Sequence, residues 1–166
     1  MHLVIHRGSH EIGGSCVECV TDDGSRLVLD LGLPLAPVLR DALLPRVPGM
    51  CPPGDLGPTG RPLALLLSHA HLDHAGLAPH ADPAIPVFAS RGTVAILDVN
   101  RILQPDVPTP ARPVVLPDHV PFRIGPFTVT ALPVDHSAPD AQALLVEAGG
   151  RRLLYSGDLR AHGRTG

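Results

Sequence analysis

Short apolar stretches separated by turn residues dominate the chain and predict a strand-rich fold. Residues 1–5 and 15–20 read as strands. Asp22-Asp23-Gly24 is a turn that leads into an apolar strand over 26–31, ending around Asp30. Residues 34–62 hold eight prolines and little periodicity, which predicts a long irregular excursion with one helical turn near 38–44. The continuous apolar run at 62–68 has the pattern of a strand buried on both faces. A short strand at 86–89 follows. Ser90 is placed to cap a helix over 91–103, along which Val94, Leu97 and Ile102 recur. Strands are predicted at 113–116, 120–124, 127–132 and 143–147, and Gly149-Gly150 turns the last into a hairpin with 151–156. There is no internal repeat. The pattern is that of a layered α/β (α+β) fold with one or two helices.

Composition sharpens this picture. The 166 residues are 44% hydrophobic and 17% charged, so the chain can bury a core and wholesale disorder is excluded. Aromatics are only 2%, with one Tyr and no Trp, so that core must be aliphatic. A formal charge of −3 gives no basic footprint for nucleic acid. The longest clean apolar run, 63–67, is far short of the roughly 20 residues of a membrane span. The first residues lack a secretory layout, so the expected location is the cytoplasm. Cys16 and Cys19 have C-x-x-C spacing, but three residues apart on a strand they face opposite ways, which predicts plain burial.

The chemistry concentrates in Ser68-His69-Ala70-His71-Leu72-Asp73-His74, directly after the buried strand. In an extended loop His69 and His71 face the same way and can converge on one metal ion. If the chain then turns helical, Asp73 and His74 point elsewhere and can hold a second. Imidazole with carboxylate suits Zn²⁺, with Mn²⁺ or Fe²⁺ as rivals. Two further strand ends offer ligands: His136 in Val134-Asp135-His136-Ser137-Ala138-Pro139-Asp140, and Asp158 in Tyr155-Ser156-Gly157-Asp158. A carboxylate can bridge two cations, the natural role for Asp158.

H-x-H-x-D-H, a later His and a later Gly-Asp, each after a strand, resemble the metal motifs of the metallo-β-lactamase fold hydrolases. Gly8-Ser9-His10-Glu11-Ile12-Gly13-Gly14-Ser15 and His136-Ser137-Ala138-Pro139-Asp140 resemble stretches of the β-CASP nucleases, the group of ribonuclease J. The resemblance implies an αβ/βα sandwich of which residues 1–166 are the N-terminal half. The returning half would carry the last histidine of the second metal site, and would be supplied by a further segment, a second polypeptide or a homo-oligomer. It also implies that Asp30, in Asp30-Leu31-Gly32, orients the metal loop rather than binding metal.

The implied activity is zinc-dependent cleavage of RNA by a water-derived nucleophile held between two cations. His69, His71 and His136 would bind the first, Asp73 and His74 the second, with Asp158 between them. Asp73 would also orient the water or take its proton, and Ser137, Asp140 and His162 are candidate substrate contacts. Two divalent cations would bring the formal −3 to about +1, making the metal centre the local phosphate attractor. The alternatives are cleavage of a thioester, lactone or lactam, and a non-catalytic half that binds metal weakly.

Overall fold

The computed structural model describes residues 1–36, 43–51, 60–105 and 113–162. The helical turn expected near 38–44 falls largely outside them.

Three strands open the fold: β1 (His2–Arg7), β2 (Cys16–Val20) and β3 (Arg26–Leu29), antiparallel in sequence order. The turn between β2 and β3 is closed by Asp23, whose carboxylate accepts from the Thr21 hydroxyl and from the Ser25 N–H. β4 (Leu65–Leu66), β5 (Val87–Ala89) and β6 (Val114–Val115) then add in parallel and complete a six-stranded sheet. The second sheet is an antiparallel meander of β7 (Phe122–Ile124), β8 (Phe127–Pro133), β9 (Gln142–Ala148) and β10 (Arg151–Tyr155). Gly149 and Gly150, at φ 55° and 70°, make the two-residue turn between β9 and β10. Both positions of that turn type need the left-handed conformation that glycine adopts freely.

Period-two alternation builds the layers. Leu27, Leu29, Leu66 and Phe88 point from the larger sheet to the smaller, against Phe127, Val129, Leu144 and Val146. Val28, Leu65, Leu67 and Val87 point the other way, under the helices and the 43–51 segment. Each fully buried Leu or Phe contributes roughly 1.5–3 kcal/mol of transfer free energy, so the aliphatic core suffices without tryptophan. Cys19 joins the first cluster and Cys16 the second, so the C-x-x-C pair is split across the sheet as its spacing predicts. Burial holds both thiols protonated, that of Cys19 pushed up to about 12.

Helix α1 is a four-residue turn, Leu72–Ala75; α2 is Arg91–Leu103, with the Ser90 hydroxyl accepting from the Thr93 N–H at 3.1 Å. Three sequence expectations need correction. The run 62–68 is buried from Ala64 onward but leaves Leu63 exposed, and it contributes only two residues to the ladder. The strand at 26–31 stops at Leu29, because Asp30 takes φ 58° and the chain then bonds to the 72–74 turn instead. Ile102 is exposed, since only the first turns of α2 lie on the sheet. Among the described residues no helix is long and apolar enough to cross a membrane.

A candidate metal centre at the sheet edge

Asp30, the 68–74 turn, the 134–141 loop and residues 156–160 follow the ends of β3, β4, β8 and β10. Backbone bonds hold them together. Gln142 N–H donates to Ser68 O at 2.9 Å, Val134 N–H to Ala141 O at 2.9 Å, and Arg160 N–H to Asp135 O at 2.7 Å. The histidine turn is clamped from beneath by Leu31 N–H to His74 O (2.9 Å), Leu33 N–H to Leu72 O (2.8 Å) and Ser15 N–H to Asp73 O (3.0 Å). The 8–16 stretch, distinctive in the sequence, therefore runs alongside Asp73.

Gly32 is part of this clamp. A Cβ there would lie on the backbone carbonyl of Asp73 and within 2.7 Å of Ser15 N. Those are backbone atoms and cannot rotate aside. Gly32→Ala is expected to destabilise the chain by about 3 kcal/mol, the upper end of overpacking costs, read as a lowered midpoint in denaturant unfolding.

The predicted ligands converge. His69, His71 and His136 present nitrogens within 4.8 Å of one another, and in a second group the nitrogens of His69 and His74 and a carboxylate oxygen of Asp158 lie equally close. His136 Nε2 stands 3.1 Å from His71 Nδ1. Asp158 reaches both groups, with Oδ1 3.3 Å from His74 Nε2 and Oδ2 3.7 Å from His136 Nε2. Its own side chain is 47% exposed, so the cluster opens to solvent on that side. Asp73 Oδ2 lies 3.8 Å from His74 Nε2, beside the second group. His69 belongs to both groups, which the division into His69/His71 and Asp73/His74 did not foresee. Ser137 and His162 are exposed. Asp140 is exposed too, but its carboxylate accepts from the Gly92 N–H at 2.9 Å, tying the His136 loop to the start of α2.

Electrostatics suit a cation. His69 is fully buried, its Nδ1 is 3.0 Å from the Ser68 hydroxyl, and its Nε2 has no hydrogen-bond partner among the described residues. A buried unpaired nitrogen is costly, and a cation could supply the partner. Burial, reinforced by nearby His74, pushes His69 down to about 4, so it is a neutral lone-pair donor at pH 7. Burial lowers His136 as well, outweighing the pull of Asp158. Burial also opposes protonation of His74, but its bond to Asp30 and the charges of Asp30, Asp158 and Asp73 hold it above its ordinary value. A proton on His74 Nε2 and a cation there are alternative answers to the same carboxylates.

Asp30 lies under the cluster, fully buried. Its Oδ1 accepts from Ser68 N–H; its Oδ2 accepts from the Ser68 hydroxyl and the Tyr155 hydroxyl and stands 2.7 Å from His74 Nδ1. Its one hydrogen-bonding contact with the cluster, among the described residues, is to His74. Ser68 and Tyr155 were not foreseen. Their signal is position: one precedes the first histidine, and the other is the chain's single tyrosine, three residues before Asp158.

The family model of the beta-lactamase superfamily domain matches residues 38–164. The chain belongs to the beta-lactamase superfamily. Its relatives within the superfamily include ribonuclease J of Sinorhizobium meliloti, 29% identical over 100 residues, and that of Mycobacterium tuberculosis, 34% identical over 100 residues. These matches cover 57% and 58% of this chain but only 17% of either ribonuclease, so the chain spans a small part of their length. A protein of unknown function from Enterococcus faecalis superposes with a TM-score of 0.84 at 26% identity, over 98% of this chain and 44% of that one. Zn²⁺-bound PqqB from Methylobacterium extorquens superposes with a TM-score of 0.62 at 20% identity, over 91% of this chain and 55% of that one. The two-sheet architecture is therefore the superfamily's metallo-β-lactamase fold, of which the chain forms about half.

Proposed function

We propose that the chain is the N-terminal half of a ribonuclease J-like hydrolase that uses divalent cations to cleave RNA phosphodiesters in the cytoplasm. The observation that carries this reading is the convergence of side chains from positions 69, 71, 136 and 158 around a buried His69 Nε2 that no group among the described residues satisfies. His69, His71 and His136 would hold one cation. His74 and Asp158, with Asp73 beside them, would hold a second, and the two oxygens of Asp158 face both. Zinc fits this donor set best, with manganese and iron as competitors.

Bound there, the cations would lower the pKa of a water and neutralise charge gathering on phosphorus. The protein's own residues do the rest. Asp73 orients the attacking water and can accept its proton, and Asp30 fixes His74. The 8–16 loop, Ser137 and His162 are surfaces for the substrate. Ribonuclease relatives at about 30% identity favour RNA over the other bonds that this fold cleaves. One experiment tests the substrate class: zinc-loaded chain offered RNA, a thioester, a lactone and a β-lactam. RNA cleavage abolished by chelation is expected; turnover of only the other three contradicts the reading.

One observation favours a second reading. The match to ribonuclease J spans 17% of that protein, so the centre would load metal yet turn over only when further polypeptide completes it. Metal uptake without cleavage of any of the four substrates is its signature.

A further inference from the structure

We infer that Tyr155 is a positioning residue, whose hydroxyl couples the end of β10, which leads to Asp158, to His74 through the Asp30 carboxylate. The inference rests on the metal reading above. Three observations carry it. The Tyr155 hydroxyl donates to Asp30 Oδ2 at 2.7 Å, across 125 residues of sequence. The same oxygen lies 2.7 Å from His74 Nδ1, so one atom links β10 to the histidine turn. His74 Nε2, on the far side of that ring, faces Asp158 Oδ1 at 3.3 Å, and Asp158 lies three residues beyond Tyr155. The path is a closed circuit: Asp158, the two residues back to Tyr155, Asp30, His74 and back to Asp158.

The circuit has a direction of action. With Nδ1–H of His74 committed to Asp30, the Nε2 lone pair is left for a cation, and the ring plane is fixed by that bond. Asp30 Oδ2 is held from three sides, by Ser68, His74 and Tyr155. Removing the tyrosine hydroxyl frees the carboxylate to turn and loosens the segment that delivers Asp158. His71 and His136 have no bond to Asp30, and their group shares only His69 and Asp158 with the second, so it should respond less. The packing role of the ring is separate, since Tyr155 also lies against the inter-sheet core and Phe can fill that space.

The chain's lack of tryptophan makes the test direct, because its near-ultraviolet absorbance comes from this one tyrosine above the weak phenylalanine bands. Zinc titration of the 166-residue chain, followed by calorimetry and by absorbance, is expected to show two binding events, with the tyrosine band shifting in one of them. In Tyr155→Phe one affinity is expected to fall about tenfold and the other by clearly less. The same fall is expected in a His71→Ala background, where only the His74–Asp158 group remains intact. Unchanged affinities in Tyr155→Phe, or equal losses at both sites, overturn the coupling and leave the metal reading standing. Absence of zinc binding by the unaltered chain overturns both.

Discussion

Replacing His71 with alanine is expected to remove one zinc equivalent and to lower any metal-dependent hydrolysis by at least about 100-fold, with the fold intact. Substituting residues that merely orient metal ligands costs 10–100-fold in affinity or activity, and losing a ligand costs more. His71 is only partly buried, and its ring leans on the other imidazoles rather than on the aliphatic core. Its removal should therefore change unfolding free energy by less than about 0.5 kcal/mol. Metal analysis, activity and denaturant unfolding on one preparation separate these effects. Full activity with both equivalents retained would mean that His71 is a bystander; loss of fold would mean that the cluster is structural.

The second large effect lies away from the cluster. Glu18 and Arg26 form a buried ion pair, with side chains 4% exposed each, and His6 Nε2 lies 2.8 Å from the other Glu18 oxygen. Arg26 Nη1 also donates to Pro48 O and Gly60 O, at 2.9 Å each, so this pair fastens the proline-rich excursion to β2 and β3. Glu18→Gln keeps the shape and strands the guanidinium charge. Breaking one side of a buried pair costs about 3–5 kcal/mol, which the urea midpoint should show at unchanged m-value.

The effect should depend on pH with a definite sign. Burial alone would raise the Glu18 pKa, but the bonds from His6 and Arg26 outweigh it and hold it below its ordinary 4.5. A carboxylate with a depressed folded-state pKa contributes stability that is complete above the unfolded value and lost as pH falls through the folded one. The gap between the two proteins should therefore be full at pH 7 and close below pH 4.5. A gap that stays constant down to pH 3 would show that charge at Glu18 is not its source.

Much of this was written in local sequence. The Ser90 cap and the Gly149-Gly150 turn act within a few residues, and each appears where its pattern placed it; the histidines of the H-x-H-x-D-H run gather, though His69 falls in both groups and Asp73 in neither. What escaped needs distant segments to meet. Asp30 leaves its strand because the 72–74 turn supplies new partners. Tyr155 acquires a role only because β10 ends beside Asp30, and Asp140 turns to α2 because Gly92 leaves a free N–H there. Ile102 kept helical spacing but outran the sheet beneath it. Local pattern fixes an element's type; how far it extends and what it touches are set by packing.

Anomalous diffraction at the zinc edge, from crystals of the chain grown with zinc, tests the central claim most directly. Two peaks are predicted, one among the imidazoles of His69, His71 and His136 and one beside His74 and Asp158. Zinc bound elsewhere with this cluster vacant, or no zinc at all, would contradict it.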